Sequence, residues 1–127
     1  PDKLVDPDHG YPLMCARGWG GDVKPTIPLN YRTQGTAMWW MMTSMIGCHE
    51  YLAGYEGYYM IMQVHDELVF DFPAGTGKEP WRTNYKIADK CRRIMESSGD
   101  RIGIPTPVSM KYHDHNWQDE INPTTAA

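Results

Sequence analysis

The chain has 127 residues, which fits one small domain or one piece of a larger protein. Charged residues make up 22% and aromatic residues 12%, a composition that predicts a folded chain and excludes a disordered one. The net charge of −4 excludes a chain that is basic as a whole, so contact with DNA would need a local basic groove or one supplied by other segments.

Residues 1–29 are rich in proline and glycine and form a lead-in to the rest of the chain. Asp8-His9-Gly10 is typical of a turn between two short extended pieces, which predicts a short hairpin. Lys24 and Pro25 then lead toward the first helix.

A first helix is predicted from about Thr33 to Leu52. Large apolar residues cover more than one of its faces: Met38, Trp39, Trp40, Met41, Met42, Met45 and Ile46. A helix that is apolar on most sides must be buried on most sides. Because a chain of this length has little material to cover it, the pattern suggests that further polypeptide packs on this helix.

Two strands are predicted next, from Tyr58 to Val64 and from Glu67 to Phe72. Only His65 and Asp66 lie between them, so the strands should form a tight antiparallel hairpin. The turn lacks the Asn-Gly or Asp-Gly sequence that usually favours such a connection. A local rule broken in this way is typical of functional sites.

A second helix is predicted from Trp81 to about Ser98, with Pro80 in its first turn and Gly99 as its stop. Its predicted apolar stripe consists of Trp81, Tyr85, Ala88, Cys91 and Met95. A third strand, Thr106 to Tyr112, should join the hairpin in one sheet. We therefore expect an α+β fold, a small antiparallel β-sheet with packed helices.

The adjacent acids Asp66 and Glu67 follow an otherwise apolar strand. Two carboxylates beside a buried strand cost several kcal/mol unless a cation compensates them, and hard oxygen ligands suit Mg²⁺. A solvated hairpin turn explains the local pattern equally well. If a metal is bound, a two-metal site needs at least one more carboxylate from another strand.

Other side chains give weaker signals. The cysteines Cys15, Cys48 and Cys91 match no zinc spacing, which favours free thiols in the cytoplasm. His113-Asp114-His115 has no evident third ligand, so a surface turn is favoured over a metal cluster. The most apolar stretch, 37–46, is too short to cross a bilayer, so no membrane partner is expected.

Three segments resemble one family. "QVHDELVF", residues 63–70, resembles motif C of family A DNA polymerases, the bacterial DNA polymerase I class. "LNYRTQGTA", residues 29–37, resembles the opening of the helix that precedes motif C, and residues 104–120 resemble the final strand of the palm with its closing Asn-Trp. The segments occur in the family's order and at about its spacing, and together they cover residues 28–117.

The resemblance implies an incomplete polymerase palm subdomain. Residues 1–29 would form a lead-in at the edge of the fingers and palm, 30–117 the C-terminal palm segment with motif C, and 118–127 a tail. The implied activity is template-directed deoxynucleotidyl transfer by a two-metal mechanism with Mg²⁺. The implied partners are primer–template DNA and a dNTP, in the cytoplasm of a bacterial or phage-infected cell.

The resemblance also implies roles for single residues. Asp66 matches the motif C aspartate that binds catalytic metal, Glu67 its weaker acidic neighbour, and His65 a residue near the primer 3′ end. Further matched residues, which would contact the primer–template duplex, are Gln63, Asn30 and Gln34. Arg32, Lys24 and Arg17 are candidates for a phosphate-facing patch, although a solvated loop is as good an interpretation. Thr26 stands where the family usually has an arginine, which weakens the expected phosphate contact.

Two family motifs are missing from the sequence. We find neither motif A, which supplies the other metal-binding aspartate, nor motif B, the fingers helix that grips the triphosphate. The resemblance therefore predicts an upstream polymerase segment or chain that carries both. The alternative is a non-catalytic module that binds DNA or protein and retains the palm fold. A stand-alone phosphohydrolase would need a second carboxylate cluster, and the sequence has no candidate for one.

Overall fold

The structure, a computed structural model, describes residues 3–5, 12–14, 20–22, 24–74, 80–113 and 116–120. Its elements, in chain order, are β1 (Lys3–Val5), β2 (Pro12–Met14), α1 (Thr26–Leu52), β3 (Tyr59–Val64), β4 (Glu67–Asp71) and α2 (Pro80–Asp100). Two helices and antiparallel strand pairs make an α+β fold, which confirms the predicted fold class. The chain divides into two compact units, Pro1–Trp39 and Trp40–Ala127.

In the first unit, β1 and β2 pair antiparallel, with Lys3 opposite Met14 and Val5 opposite Pro12. The turn predicted at residues 8–10 lies outside the described residues. The subdomain boundaries predicted at 29/30 and 117/118 stay predictions.

Helix α1 begins at Thr26, so the predicted start at about Thr33 is wrong. The sequence contains Pro28, but proline is well tolerated in the first turn of a helix, where its missing N–H has no intrahelical partner to lose. The carbonyl of Lys24 accepts a hydrogen bond from the Ile27 N–H at 3.0 Å and closes the entry turn. Pro28 therefore lies inside the helix start and does not prevent it.

In the second unit, α1 and α2 pack on one another through stripes with helical spacing. Among the described side chains, the buried residues of α1 are Met41, Ser44, Cys48 and Leu52, and those of α2 are Asn84, Ile87, Cys91, Met95, Ser98 and Gly99. Of the stripe predicted for α2, Cys91 and Met95 are buried and Ala88 is half-buried, whereas Tyr85 is exposed because the buried face runs through Asn84 and Ile87. The predicted side chain of Trp81 lies outside the described residues.

Small side chains bring these two helices close together. A Cβ atom on Gly47 would lie only 2.7 Å from Cγ2 of Ile94, and the fully buried Cys48 reaches the Cys91 carbonyl oxygen with its thiol at 3.6 Å. Trp40 donates its indole N–H to the Met95 carbonyl at 2.9 Å, which gives the half-buried ring a polar partner. The helix pair is therefore tied by both close packing and hydrogen bonds.

Strands β3 and β4 form the predicted antiparallel hairpin, with Val64 opposite Glu67 and Tyr59 opposite Asp71. An irregularity between Met60 and Met62 shifts the register. Since paired residues share a face, the shift puts Met62 on the same side as Tyr59, although strict alternation would separate them.

The two faces of the hairpin have different surroundings. Leu68 and Phe70 are half-buried and pack against the helix core. On the opposite face, Tyr59, Met62 and Val64 are exposed. One face therefore attaches the hairpin to the helices, and the other is apolar and accessible.

The stop predicted for α2 at Gly99 is wrong, because the helix continues to Asp100. Gly103, with a φ of 68°, takes the left-handed conformation after the helix. Its N–H donates to the Asp100 carbonyl at 3.2 Å and the Ile104 N–H donates to the Gly99 carbonyl at 3.4 Å, which is the Schellman pattern of a helix end.

Gly99 is required for a different reason. A Cβ atom there would lie 2.8 Å from Cγ2 of Thr106 and 2.9 Å from the Ile104 carbonyl oxygen. The missing side chain therefore lets the following segment pass directly against the helix.

The strand predicted from Thr106 to Tyr112 is also wrong. Within the described part of this segment, only Tyr112 forms an isolated β-bridge. Pro105 and Pro107 cannot donate to a ladder, and Glu96 of α2 takes the place of a neighbouring strand. The Glu96 carbonyl accepts from the Thr106 hydroxyl at 3.2 Å, and its carboxylate accepts from the Val108 N–H at 3.1 Å. The segment is therefore tethered to α2 and does not extend the sheet.

Candidate functional site

The candidate site is the two-residue turn between β3 and β4, formed by His65 and Asp66. His65 has a φ of 53°, the left-handed region that non-glycine residues rarely adopt and that costs about 1 kcal/mol. Two-residue hairpin turns need a positive φ at the first central residue, so the tight connection imposes this conformation. The side-chain amide of Gln63 donates a hydrogen bond to the His65 carbonyl and holds the turn closed.

Asp66 and Glu67 are both exposed at this turn. Mg²⁺ is commonly held by one or two protein carboxylates together with water and phosphate oxygens. The carboxylate oxygens of Asp66 and Glu67 are therefore the type of ligand that this ion prefers. Over the described residues, no group of three or more His, Cys, Asp or Glu side chains is close enough to hold a metal ion. Asp66 and Glu67 are two carboxylates, and a two-metal site needs at least one more from another strand.

The face of the hairpin beside this turn is apolar. Exposed fractions reach 60% for Tyr59 and 41% for Val64, and the bulged Ile61 is 57% exposed. The carboxylates of Glu67 and Asp71 are paired in register with Val64 and Tyr59 on this face. Clustered apolar side chains with acids among them are typical of a contact surface.

At its other end the hairpin is bonded to α2 through Asn84, which is only 4% exposed. The Tyr58 hydroxyl donates to Asn84 Oδ1 at 2.8 Å, and Asn84 Nδ2 donates to the Pro73 carbonyl at 2.9 Å. The Tyr58 and Phe72 rings also meet, with centroids 4.8 Å apart. Sequence reasoning missed Asn84, and the signal was an amide residue in register with the apolar positions 87, 91 and 95.

The predicted DNA-contact residues of the first unit lie at and before the start of α1. Asn30 and Gln34 are exposed and four residues apart, so they share one face of the helix. Arg32 is exposed two residues from Asn30 and therefore points to a different face. Lys24 is exposed just before the helix, and Arg17 lies outside the described residues.

The turn thus brings together Gln63, His65, Asp66 and Glu67, the four predicted residues of the second unit. The predicted surface turn at 113–115 is described only at His113, whose Nδ1 contacts the Asp119 carbonyl oxygen at 3.1 Å.

The thiols of Cys48 and Cys91 are buried between the two helices. Their mutual hydrogen bond lowers the pKa of Cys91 and raises that of Cys48, and burial raises the pKa of Cys48 further, so the Cys48 thiol stays protonated. On the same helix, burial and a hydrogen bond with Tyr55 raise the pKa of Tyr51 to about 12. These groups belong to the packing of the helices.

No helix in the portion of the chain that the structure describes is long and apolar enough to cross a membrane. Searches of curated proteins and of solved structures each found no match. The family model of DNA polymerase family A matches residues 23–119, a range that contains both helices and the acidic hairpin. Because that match covers well over half of its length, this chain belongs to DNA polymerase family A.

Proposed function

We propose that the chain acts as part of a DNA-directed DNA polymerase and performs template-directed deoxynucleotidyl transfer. The observation that carries the proposal is the exposed Asp66-Glu67 pair on a tight turn, within the region that matches the family. Structural packing does not require two adjacent acids at this position. A bound Mg²⁺ would give them a chemical role, because this ion takes carboxylate oxygens as ligands.

In the proposed reaction the primer 3′-hydroxyl attacks the α-phosphate of a dNTP and pyrophosphate leaves. Asp66 would hold Mg²⁺, and Glu67 would support the site more weakly. When bound, Mg²⁺ neutralises the charge that develops on the attacking and leaving oxygens. His65 lies toward the primer 3′ end, and Gln63 fixes the turn through its bond to the His65 carbonyl.

The first unit is proposed to hold the duplex. Asn30 and Gln34 share a helix face and can contact minor-groove acceptors, which all base pairs present and which therefore test shape without reading sequence. Lys24 and Arg32 are proposed to contact phosphates, which would position the duplex.

The same proposal requires an upstream segment or chain that carries motifs A and B, in the cytoplasm of a bacterial or phage-infected cell. Two-metal transfer needs a carboxylate from a second strand, and the described residues group no third acidic ligand with Asp66 and Glu67. The exposed apolar face of Tyr59, Met62 and Val64 supports a further packing partner.

The test is primer extension by the chain co-expressed with a segment that carries motifs A and B. Asp66→Ala should lower turnover by about 1,000-fold or more, and Glu67→Ala should lower it less. Glu56→Ala is the matched control, because Glu56 is an exposed carboxylate in the loop between α1 and β3 and should leave turnover unchanged.

Equal losses for Asp66→Ala and Glu56→Ala would contradict the assignment, as would robust extension by the chain alone. A well-folded complex that binds DNA but extends no primer with any divalent metal would favour the non-catalytic module.

A further inference from the structure

Asn84 joins both ends of the acidic hairpin to α2. Its Oδ1 accepts from the Tyr58 hydroxyl at 2.8 Å, one residue before β3. Its Nδ2 donates to the Pro73 carbonyl at 2.9 Å, two residues after β4. One buried side chain therefore bonds to the entry and the exit of the hairpin.

Packing alone does not explain an asparagine at this position. Asn84 is in register with Ile87, Cys91 and Met95, and a leucine would suit that stripe better. A buried amide costs free energy unless it is hydrogen-bonded, and both of its functional atoms are. What the amide provides and leucine does not is a fixed link between the hairpin and the helix.

Because Asn84 bonds to the base of the hairpin, a small change in direction there produces a larger displacement of the turn. Strands rise about 3.3 Å per residue, so the turn lies about 20 Å from the base of β3. A rotation of only about 3° at the base would move the turn by about 1 Å, and a misplacement of that size can cost about 100-fold in rate.

We propose that Asn84 is a positioning residue that sets the direction of the hairpin and thereby the location of the Asp66 carboxylate. This inference rests on the proposed function, since it assigns Asn84 a part in placing a metal ligand. The packing of Leu68 and Phe70 on the helix core is the competing explanation for the hairpin's direction.

The experiment measures primer extension by the complete polymerase complex as a function of Mg²⁺ concentration, normalised to active sites. Asn84→Leu keeps the volume and removes both hydrogen bonds. It should raise the Mg²⁺ concentration for half-maximal activity about tenfold, because residues that orient metal ligands typically contribute that much. A purely structural role would lower the number of active molecules and leave the Mg²⁺ dependence unchanged.

A milder variant keeps the test decisive if Asn84→Leu fails to fold. Tyr58→Phe removes only the bond to Oδ1 and leaves the Asn84 donor bond to the Pro73 carbonyl in place. It should shift the Mg²⁺ dependence in the same direction and by less. Ser97→Ala is the control, because the exposed Ser97 of α2 bonds only within its own helix, to the Ile94 carbonyl at 2.9 Å.

Failure of this inference is separable from failure of the proposed function. If Asp66→Ala abolishes extension while Asn84→Leu and Tyr58→Phe keep the wild-type Mg²⁺ dependence, Asn84 is not a positioning residue and packing sets the hairpin's direction. If Asp66→Ala extends primers normally, the proposed function fails. Amide hydrogen exchange then tests the link itself, because loss of the Asn84 bonds should speed exchange at Val64 and Glu67, the register pair that closes the turn, and unchanged exchange would overturn it as well.

Discussion

The helix pair and the hairpin distribute their side chains in opposite ways. Where α1 and α2 meet, the structure buries six apolar residues and brings the backbones close at Gly47. Neither β3 nor β4 has a fully buried residue, and the hairpin exposes apolar side chains on one face and two acids at its turn. Stability therefore resides mainly in the helices, and most side chains of the hairpin remain accessible to solvent.

The largest expected difference comes from truncating one isoleucine in each region. Ile87 is 4% exposed in the helix core and Ile61 is 57% exposed on β3. Ile87→Ala should lower the free energy of unfolding by about 3 kcal/mol, since it removes buried surface and leaves a cavity. Ile61→Ala should change it by less than about 0.5 kcal/mol. Urea denaturation followed by circular dichroism measures both changes. Equal losses would refute the conclusion that the helix pair contributes more to stability than the hairpin.

A second substitution tests the close approach at the end of α2. Gly99→Ala should lower the free energy of unfolding by about 2 kcal/mol, because the new methyl group would overlap Thr106 and Ile104. Helix propensity alone would favour alanine by about 1 kcal/mol, so the sign of the change is decisive. Gly54→Ala is the control, since its Cβ would meet only the Tyr51 carbonyl oxygen at 3.9 Å.

The features predicted correctly from the sequence are those that depend on local pattern. The hairpin and its two-residue turn follow from two short apolar strands around His65-Asp66, and the family model confirms the recognised family over residues 23–119. The hairpin also accounts for the proximity of four predicted site residues at one turn, which are Gln63, His65, Asp66 and Glu67. Their roles in metal and DNA binding stay predictions.

The errors occurred where a distant contact decided the conformation. Val108, Met110 and Tyr112 alternate as in a strand, but Glu96 binds this segment to α2. Glycine often ends a helix, which is why the sequence predicts Gly99 as the stop. In the structure, Gly99 lies within the helix and allows close contact with Thr106, and Gly103 takes the left-handed conformation after the helix end. A sequence pattern shows which residues suit an element, and it does not show which other part of the chain will contact them.

A smaller effect concerns the backbone of the turn. His65→Gly should raise the free energy of unfolding by up to about 1 kcal/mol, because glycine adopts a φ near 53° without strain. The larger backbone entropy that glycine loses on folding reduces this gain. The same change should reduce primer extension by the complete complex if His65 contacts the primer end. Calorimetry and primer extension on one preparation would check both. A loss of stability would mean that the His65 side chain holds the turn.

The smallest expected effect is electrostatic and belongs to the helix pair. A hydrogen bond from Arg92, at 2.9 Å, holds the pKa of Asp89 below its ordinary value of 3.8, and Arg93 pairs with the same carboxylate. Because the folded-state pKa is lowered, the stabilisation is present above pH 3.8 and is lost as the pH falls through the folded-state value. Asp89→Asn should therefore cost about 0.5 kcal/mol near neutral pH, and this cost should shrink as the pH falls below 3.8. Thermal unfolding of both proteins across this range measures the difference, and added salt should reduce it because these side chains are partly exposed. A difference that stayed constant with pH would mean that Asp89 stabilises α2 through packing and not through its charge. The ion pairs with Arg92 and Arg93 would then contribute nothing measurable, and the buried stripe of α2 would account for its stability.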